Sequence, residues 1–220
     1  METAPKFDLE ALKRYWIGGI AGENLFRRAL RRVAQIEQAG EQAQTRGVMI
    51  LEHDPLRFAA AFFASVHSGV PVILANPKWR RLEWERVVKL VNPAVIFGQS
   101  PISEQARAGI QHPKPGAILI PTGGSTGGVK FAIHKWSTLE AACEGLSSFI
   151  GPGPINSCCV LPLYHVSGLM QLVRSFVSEG QIAFPKFKAL QAGDFPAFEA
   201  NSMCLSLVPT QLQRLMAQKR

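Results

Sequence analysis

Short apolar runs alternate with helical patterns along most of the chain, and this alternation constrains the fold more than any other feature. The apolar runs have the length and the turn-residue flanks of buried strands, whereas the helical patterns repeat apolar residues every three or four positions. Strands are predicted at residues 47–51, 71–75, 94–97, 117–120, 129–134, 157–161, 181–184 and 203–208, and helices at 24–39, 55–68, 80–91, 137–150, 169–177 and from Pro209 onward. Such alternation is typical of parallel strands joined by helical crossovers. We therefore predict an α/β fold with mostly parallel sheets flanked by helices.

The chain of 220 residues can form one large domain or two small ones. Residues 98–116 contain repeated Gly and Pro, which prevent a long regular element. We predict a first α/β subdomain at residues 1–97, a connection at 98–116 and a second α/β subdomain at 117–220. The helix predicted from residue 137 begins with a capping box, Ser137-Thr138-Leu139-Glu140.

Composition excludes several classes of protein. Hydrophobic residues make up 47% of the chain and charged residues 18%, so disorder and coiled coils are excluded. The longest fully apolar stretch, residues 58–64, is far shorter than the ~20 residues that span a bilayer, and the N-terminus lacks the apolar core of a secretion signal. We expect a cytoplasmic protein without a membrane span.

The four cysteines (Cys143, Cys158, Cys159 and Cys204) lack metal-binding spacing and are expected to be reduced and mostly buried, with no metal site.

The net charge is +8, and part of the excess lies in Arg27, Arg28, Arg31 and Arg32, which share one face of the first predicted helix. Such a face can attract nucleic acid, anionic lipid or a phosphorylated ligand. No aromatic residues interleave with the arginines. The favoured interpretation is a solvated helix face, and nucleic-acid binding is a less favoured alternative.

The most informative segment is Pro-Thr-Gly-Gly-Ser-Thr-Gly-Gly-Val-Lys at residues 121–130. Its glycines let backbone N–H groups approach an anion, its hydroxyls add donors, and Lys130 adds a point charge for phosphate. It is not a P-loop, because Val129 separates Gly128 from the lysine and no hydroxyl follows. Residues 129–134 alternate as in a strand, so we predict a hairpin connection that wraps a phosphate tail. The alternative is a mobile surface turn.

This segment resembles the phosphate-binding signature of the adenylate-forming enzymes, the superfamily of acyl-CoA synthetases, which reads roughly Thr-Ser-Gly-Thr-Thr-Gly-x-Pro-Lys-Gly. Residues 161–168, Leu-Pro-Leu-Tyr-His-Val-Ser-Gly, are similar to the superfamily's Pro-Leu-Phe-His-x-x-Gly segment. Residues 206–215 resemble the strand-to-helix step beside its acyl pocket, and their Val-Pro-Thr-Gln-Leu run looks most like the o-succinylbenzoate–CoA ligase family of menaquinone or phylloquinone synthesis. Gly123, Val129 and Phe131 depart from the Ser, Pro and Gly of the signature.

The resemblance implies carboxylate activation: ATP and a small carboxylic acid give an acyl-adenylate and pyrophosphate in the presence of Mg²⁺, and the thiol of coenzyme A then displaces AMP. The residues implied to bind the ATP phosphates are Thr122, Gly123, Gly124, Ser125, Thr126, Gly127 and Lys130. His165 is implied to be catalytic. The residues implied to contact the acyl substrate are His165, Ser167, Gly168, Pro209, Thr210 and Gln211. By itself, a lone histidine is more often a packed residue, and the Pro209 step can be simple helix capping.

The resemblance also implies parts that this sequence lacks. These are a Tyr-Gly-x-Thr-Glu segment with the Mg²⁺ carboxylate, a Thr-Gly-Asp segment for the ribose, and a mobile C-terminal lid domain with the adenylation lysine. The tyrosines, Tyr15 and Tyr164, do not precede glycine. We expect the N-terminal portion of a ligase that is weakly active or inactive without its C-terminal portion, with homo-oligomerisation left open. The alternative is a non-catalytic nucleotide- or phosphate-binding module.

Overall fold

The computed structural model describes residues 7–14, 16–17, 19–101, 113–123, 128–196 and 203–217. In chain order the described elements are a 3₁₀ turn at Leu9–Arg14, β1 (Trp16–Ile17), α1 (Gly22–Ala39), α2 (Glu41–Arg46), β2 (Val48–Leu51), α3 (Pro55–His67), β3 (Val72–Leu74), α4 (Arg81–Leu90), β4 (Val95–Gly98), β5 (Ala117–Gly123), β6 (Val129–Lys135), α5 (Trp136–Ile150), β7 (Asn156–Cys159), α6 (Val166–Val177), β8 (Gln181–Ala183), α7 (Phe187–Gln191), β9 (Met203–Ser206) and α8 (Pro209–Ala217).

The chain divides into two compact units. The first comprises Met1–Lys13 and Glu23–Thr138, and the second comprises Arg14–Gly22 and Leu139–Arg220. This division differs from the predicted boundary at residues 98–116. The reason is that β5 pairs with β3 and β6 pairs with β5, so both strands extend the sheet that begins before residue 98.

Over the described residues, the sheet of the first unit has the strand order β4-β2-β3-β5-β6. The first four strands are parallel, and β6 returns antiparallel to β5. Both β2 and β3 are buried along their whole length. On one face, Trp84 and Val87 of α4 pack against a core cluster that includes Met49, Ile73 and Leu119. Burial along the whole length of β2 and β3 explains why these strands are continuous apolar runs rather than alternating ones.

The predicted start of α3 is confirmed. Asp54 lies just before the helix in extended conformation, and its carboxylate accepts a hydrogen bond from the Arg57 N–H at 2.8 Å. Pro55 occupies the first helical position, where its missing N–H has no intrahelical partner to lose. Phe58, Phe62 and neighbouring residues of the helix are buried.

The predicted capping box at Ser137–Glu140 is wrong, because α5 begins at Trp136 and Ser137 already lies inside the helix. Thr138 supplies the cap instead. Its hydroxyl accepts a hydrogen bond from the Lys135 N–H at 3.1 Å and donates one to the Lys135 carbonyl at 2.8 Å.

Over the described residues, the sheet of the second unit has the order β1-β8-β7-β9, with every pair parallel. Helix α6 contacts β7 and β8. In this contact the buried hydroxyl of Ser175 donates to that of Ser157 at 2.7 Å. The two units together confirm the predicted α/β class with mostly parallel sheets flanked by helices.

Several short elements were not predicted, namely the 3₁₀ turn, β1, α2 and α7. Each spans six residues or fewer, which is too short for a hydrophobic period to be recognised. No helix in the described parts of the chain is long and apolar enough to cross a membrane.

Candidate functional site

The Gly-rich segment joins two paired strands, as predicted. Strands β5 and β6 pair in unbroken antiparallel register from Ala117 opposite Lys135 to Gly123 opposite Val129. The connection between them therefore begins after Gly123 and ends at Gly128. Four of the predicted phosphate-binding residues, Gly124, Ser125, Thr126 and Gly127, lie outside the described residues.

The two ends of this connection place Thr122 and Lys130 together. The two residues are directly opposite in the register, and the Thr122 hydroxyl donates to the Lys130 carbonyl at 3.3 Å. Side chains of directly opposite residues share one face of a sheet. Both side chains are exposed. A hydroxyl and an ammonium group thus lie on the same face of the hairpin, and the glycines of the segment follow Thr122 in the sequence.

The opposite face of β6 anchors the hairpin. Val129 and Phe131 pack against the apolar cluster of the first unit, and the Phe131 ring meets the Trp79 ring edge to face at 6.4 Å between centroids. The predicted alternation holds for these two residues, whereas Ile133 is 69% exposed. Packing of one face leaves Lys130 directed away from the core.

The second predicted segment forms a tight turn before α6. His165 is in extended conformation and immediately precedes the helix, which begins three residues earlier than predicted. Its N–H donates to the Pro162 carbonyl at 3.1 Å, and its carbonyl accepts from the N–H groups of Gly168 and Leu169. The N–H groups of Val166 and Ser167 lie in the first turn of the helix, where no intrahelical acceptor exists.

Gly168 makes this turn possible for a steric reason. A Cβ atom at this position would lie 2.2 Å from the Pro162 carbonyl oxygen and 2.8 Å from the Leu161 carbonyl oxygen. The backbone of residues 161–162 therefore passes over Gly168 at a distance that only glycine allows. The glycine of the Pro-Leu-Tyr-His-x-x-Gly pattern has a packing role, in addition to the acyl contact that the sequence resemblance implies.

The His165 ring is half-buried and tilted against the Tyr164 ring, with 4.6 Å between the centroids. Burial lowers the pKa of His165 below its ordinary value of 6.5, because removal from water disfavours the charged form. At neutral pH the ring is therefore uncharged, with one nitrogen that donates and one that accepts.

This pKa shift predicts a pH dependence of stability. The unfolded chain binds the His165 proton more tightly than the folded chain does, so the folded state loses stability as the pH falls through 6.5. We expect wild type to lose more unfolding free energy on acidification than His165→Gln, which cannot titrate at this position. Urea unfolding of both proteins over a pH series measures the difference, and parallel pH profiles would contradict the assignment.

The cysteines of the second unit have a packing role. Cys143, Cys158 and Cys159 are buried and all four cysteines are free, as expected, with Cys204 partly exposed. Burial raises the pKa of the Cys159 thiol to about 12 and that of Cys158 to about 11. Such thiols are protonated at neutral pH, which makes them unsuited to nucleophilic chemistry.

The third predicted segment opens α8. Pro209 is its first residue, as predicted, and Thr210 is exposed. The Gln211 side-chain oxygen accepts a hydrogen bond from the Val208 N–H at 3.0 Å. This side chain therefore supplies local capping, whereas the Thr210 hydroxyl lies at the surface of the helix start. The predicted site residues are divided between the two units. The first unit contains Thr122 and Lys130, and the second contains His165 and the residues of α8.

Several solved structures have a similar fold. Escherichia coli MenE with bound OSB-AMS matches with a TM-score of 0.73 at 19% identity, covering 94% of this chain and 49% of that chain. The N-terminal domain of FACL13 from Mycobacterium tuberculosis matches with a TM-score of 0.68 at 15% identity, covering 89% and 57%. The chain has the fold of the N-terminal portion of an adenylate-forming enzyme.

The sequence is also similar to curated proteins of known name. The 2-succinylbenzoate–CoA ligase of Salmonella typhimurium is 26% identical over 187 residues, which are 79% of this chain and 40% of the relative. The enzyme of the same name from Haemophilus influenzae is 25% identical over 189 residues, with 84% and 40% covered. No family model matches the chain. The chain thus resembles the N-terminal portion of 2-succinylbenzoate–CoA ligase, and it spans about 40% of the length of these relatives.

Proposed function

We propose that the chain is the N-terminal portion of an ATP-dependent acid–CoA ligase whose acid is o-succinylbenzoate. The observation that carries this proposal is the sequence match to curated ligases of that name over most of the chain, joined with a hairpin that has the predicted glycine–hydroxyl–lysine pattern. The reaction proposed is adenylation. A carboxylate oxygen attacks the α-phosphorus of ATP, the bond to the pyrophosphate oxygen breaks, and the coenzyme A thiol later displaces AMP from the acyl carbon.

The hairpin of the first unit would bind the phosphates. In adenylation a carboxylate approaches a triphosphate, so neutralisation of charge and alignment are the main tasks of the protein. Lys130 offers an exposed ammonium group, and Thr122 on the same face offers an exposed hydroxyl that would turn from the Lys130 carbonyl to donate to phosphate. We assign the predicted set Gly123, Gly124, Ser125, Thr126 and Gly127 to the same phosphate contact, through backbone N–H groups and hydroxyls.

The turn of the second unit would act on the acyl group. A neutral His165 ring can donate a hydrogen bond to a carboxylate or phosphate oxygen without the cost of burying a second charge. The free N–H groups at the starts of α6 and α8 favour anionic oxygen atoms. On this basis we assign Ser167 and Thr210 to acyl contact. Gly168, whose N–H donates to the His165 carbonyl, and Pro209, which has no N–H, would contact the acyl group through their apolar surface only. Gln211 would reach the acyl group only by releasing Val208, because its side-chain oxygen accepts from the Val208 N–H and its own N–H donates to the Val208 carbonyl.

Mg²⁺ accompanies ATP in such reactions, but the described residues do not fit a magnesium site. In the part of the chain that the structure describes, no group of three His, Cys, Asp or Glu side chains could hold a metal ion. We therefore assign no described residue to Mg²⁺.

Calorimetric titration with a stable o-succinylbenzoyl-adenylate analogue tests the proposal. We expect Lys130→Ala to weaken binding by about tenfold, since a charge-assisted contact to phosphate contributes about 1.5 kcal/mol or more. Lys135→Ala is the matched control, because Lys135 is also exposed and also on β6 but lies at the other end of the strand. Its affinity for the analogue should equal that of wild type.

Two results would count against the proposal. Equal affinities for wild type and Lys130→Ala would remove the phosphate role of the hairpin. Binding of ATP with no gain from the acyl part of the analogue would favour a non-catalytic nucleotide-binding module.

Thioester formation with o-succinylbenzoate, ATP, Mg²⁺ and coenzyme A measures activity directly, and we expect little or none from this chain alone.

A further inference from the structure

Helices α1 and α3 line an open cleft of about 540 Å³ in the first unit. Its polar lining consists of Arg28, Arg31, Arg32, Gln35, Gln38 and Arg57. No Asp or Glu lines the cleft among the residues that the structure describes. The arginines predicted to form a solvated face of α1 therefore separate into two groups. Arg28, Arg31 and Arg32 line the cleft, and Arg27 does not.

Arg32 is held in place at this cleft. Its guanidinium donates to the Glu52 carboxylate at 2.9 Å and to the Gln35 side-chain oxygen at 3.1 Å. The guanidinium also lies over the Phe97 ring, 4.5 Å from its centroid. The Glu52 side chain is only 9% exposed. These contacts neutralise Arg32 and fix its orientation, so it forms a rigid edge of the cleft.

The other cleft arginines have uncompensated charge. Arg28, Arg31 and Arg57 are exposed, and within the described residues no carboxylate forms an ion pair with any of them. Three guanidinium groups with one sign of charge line one concave surface. An anion bound there would relieve their mutual repulsion and accept hydrogen bonds from several forked donors.

The position of the cleft in the fold also favours a ligand. Glu52 directly follows β2, and Arg57 lies in the first turn of α3, the helix that comes next. The cleft is therefore next to the carboxyl end of a parallel strand, where open α/β sheets bind ligands. The hairpin assigned to ATP lies at a different pair of strands, β5 and β6.

We propose that this cleft is a binding site for a small, multiply phosphorylated anion, and that it is separate from the hairpin assigned to ATP. Its volume is within the range of roughly 300–1,000 Å³ that small-molecule sites occupy. Three unpaired arginines match a ligand with several phosphate groups better than a single phosphate. A concave site is less suited to duplex DNA, which requires an extended basic surface.

Calorimetry with inorganic tripolyphosphate tests this site. We expect Arg31→Gln and Arg57→Gln each to weaken tripolyphosphate binding by about tenfold, and the affinity to fall as salt rises. Both side chains are exposed, so neither change should impair folding. Arg27→Gln is the matched control. It makes the same change of charge on α1, but Arg27 lies outside the cleft, beside Asn24 and Glu23.

The effect of Arg31→Gln should persist in the Lys130→Ala background, which separates this site from the hairpin. Loss of tripolyphosphate binding through Lys130→Ala alone would overturn the proposal. So would equal weakening by Arg27→Gln and Arg31→Gln, or no saturable binding by wild type. Duplex DNA that competes with tripolyphosphate and depends equally on Arg27 and Arg31 would show an extended basic face instead, and would also overturn it.

Discussion

Gly168→Ala is expected to lower the free energy of unfolding by about 3 kcal/mol, at the upper end of what overpacking usually costs. The added Cβ would lie 2.2 Å from the Pro162 carbonyl oxygen and 2.6 Å from its carbonyl carbon. These are backbone atoms, so no side-chain rotation can relieve the clash. The Pro162 carbonyl also accepts the hydrogen bond from the His165 N–H, and displacing it would disturb the turn that positions His165. Urea unfolding followed by circular dichroism measures the change.

Gly145→Ala provides a matched control within the same unit. Gly145 lies inside α5, and a Cβ there would meet no heavy atom within 4 Å. Alanine is the better helix former, so we expect this variant to be more stable than wild type by about 0.5–1 kcal/mol. The same substitution should therefore have opposite effects at the two positions. Equal unfolding midpoints for the two variants would show that the close approach at Gly168 has no energetic consequence.

His165→Gln is expected to weaken binding of the o-succinylbenzoyl-adenylate analogue by between about tenfold and a hundredfold. The basis is the loss of one hydrogen bond to a charged group, worth about 1.5–3 kcal/mol. Glutamine has hydrogen-bonding atoms of the same kinds, but it lacks the ring that lies tilted against Tyr164 and therefore cannot hold a donor at the same position. Calorimetric titration of the analogue gives the affinity directly.

His53→Gln is the control for this measurement, because His53 is exposed and lies in the first unit, outside every segment assigned to ligand. Its affinity for the analogue should match that of wild type. An unchanged dissociation constant for a folded His165→Gln protein would show that the histidine is a packed residue and not part of the acyl site.

Local patterns predicted much of the secondary structure. Asp54 followed by Pro55 predicts a helix start, because the cap involves only residues that are close in sequence. The structure contains that cap. The alternation of residues 129–134 likewise predicted a strand after the Gly-rich segment, and β6 pairs with β5 across it. The cap of α5 was misplaced because Ser137 and Thr138 carry the same functional group, and only the backbone geometry selects Thr138.

Long-range pairing could not be predicted in this way. Strand β1 has two residues and pairs with β8, which lies in a distant part of the sequence. The pairing of β5 with β3 places the hairpin in the sheet of the first unit, although residues 98–116 suggested a boundary before it. The choice among parallel partners depends on the packing of whole helices and strands, which single-segment patterns do not encode.

The sequence by itself determined the α/β class, the hairpin around the Gly-rich segment and the resemblance to adenylate-forming enzymes. All of these depend on residues close together in the chain, whose periodicity and turn chemistry act locally. The tertiary structure alone decided which cleft arginine of α1 is neutralised and which keep their charge, because Arg32 meets Glu52 and Phe97 from other elements. It also decided why residue 168 must be glycine, since the contact is with a carbonyl oxygen six residues earlier that reaches it only when the turn has formed.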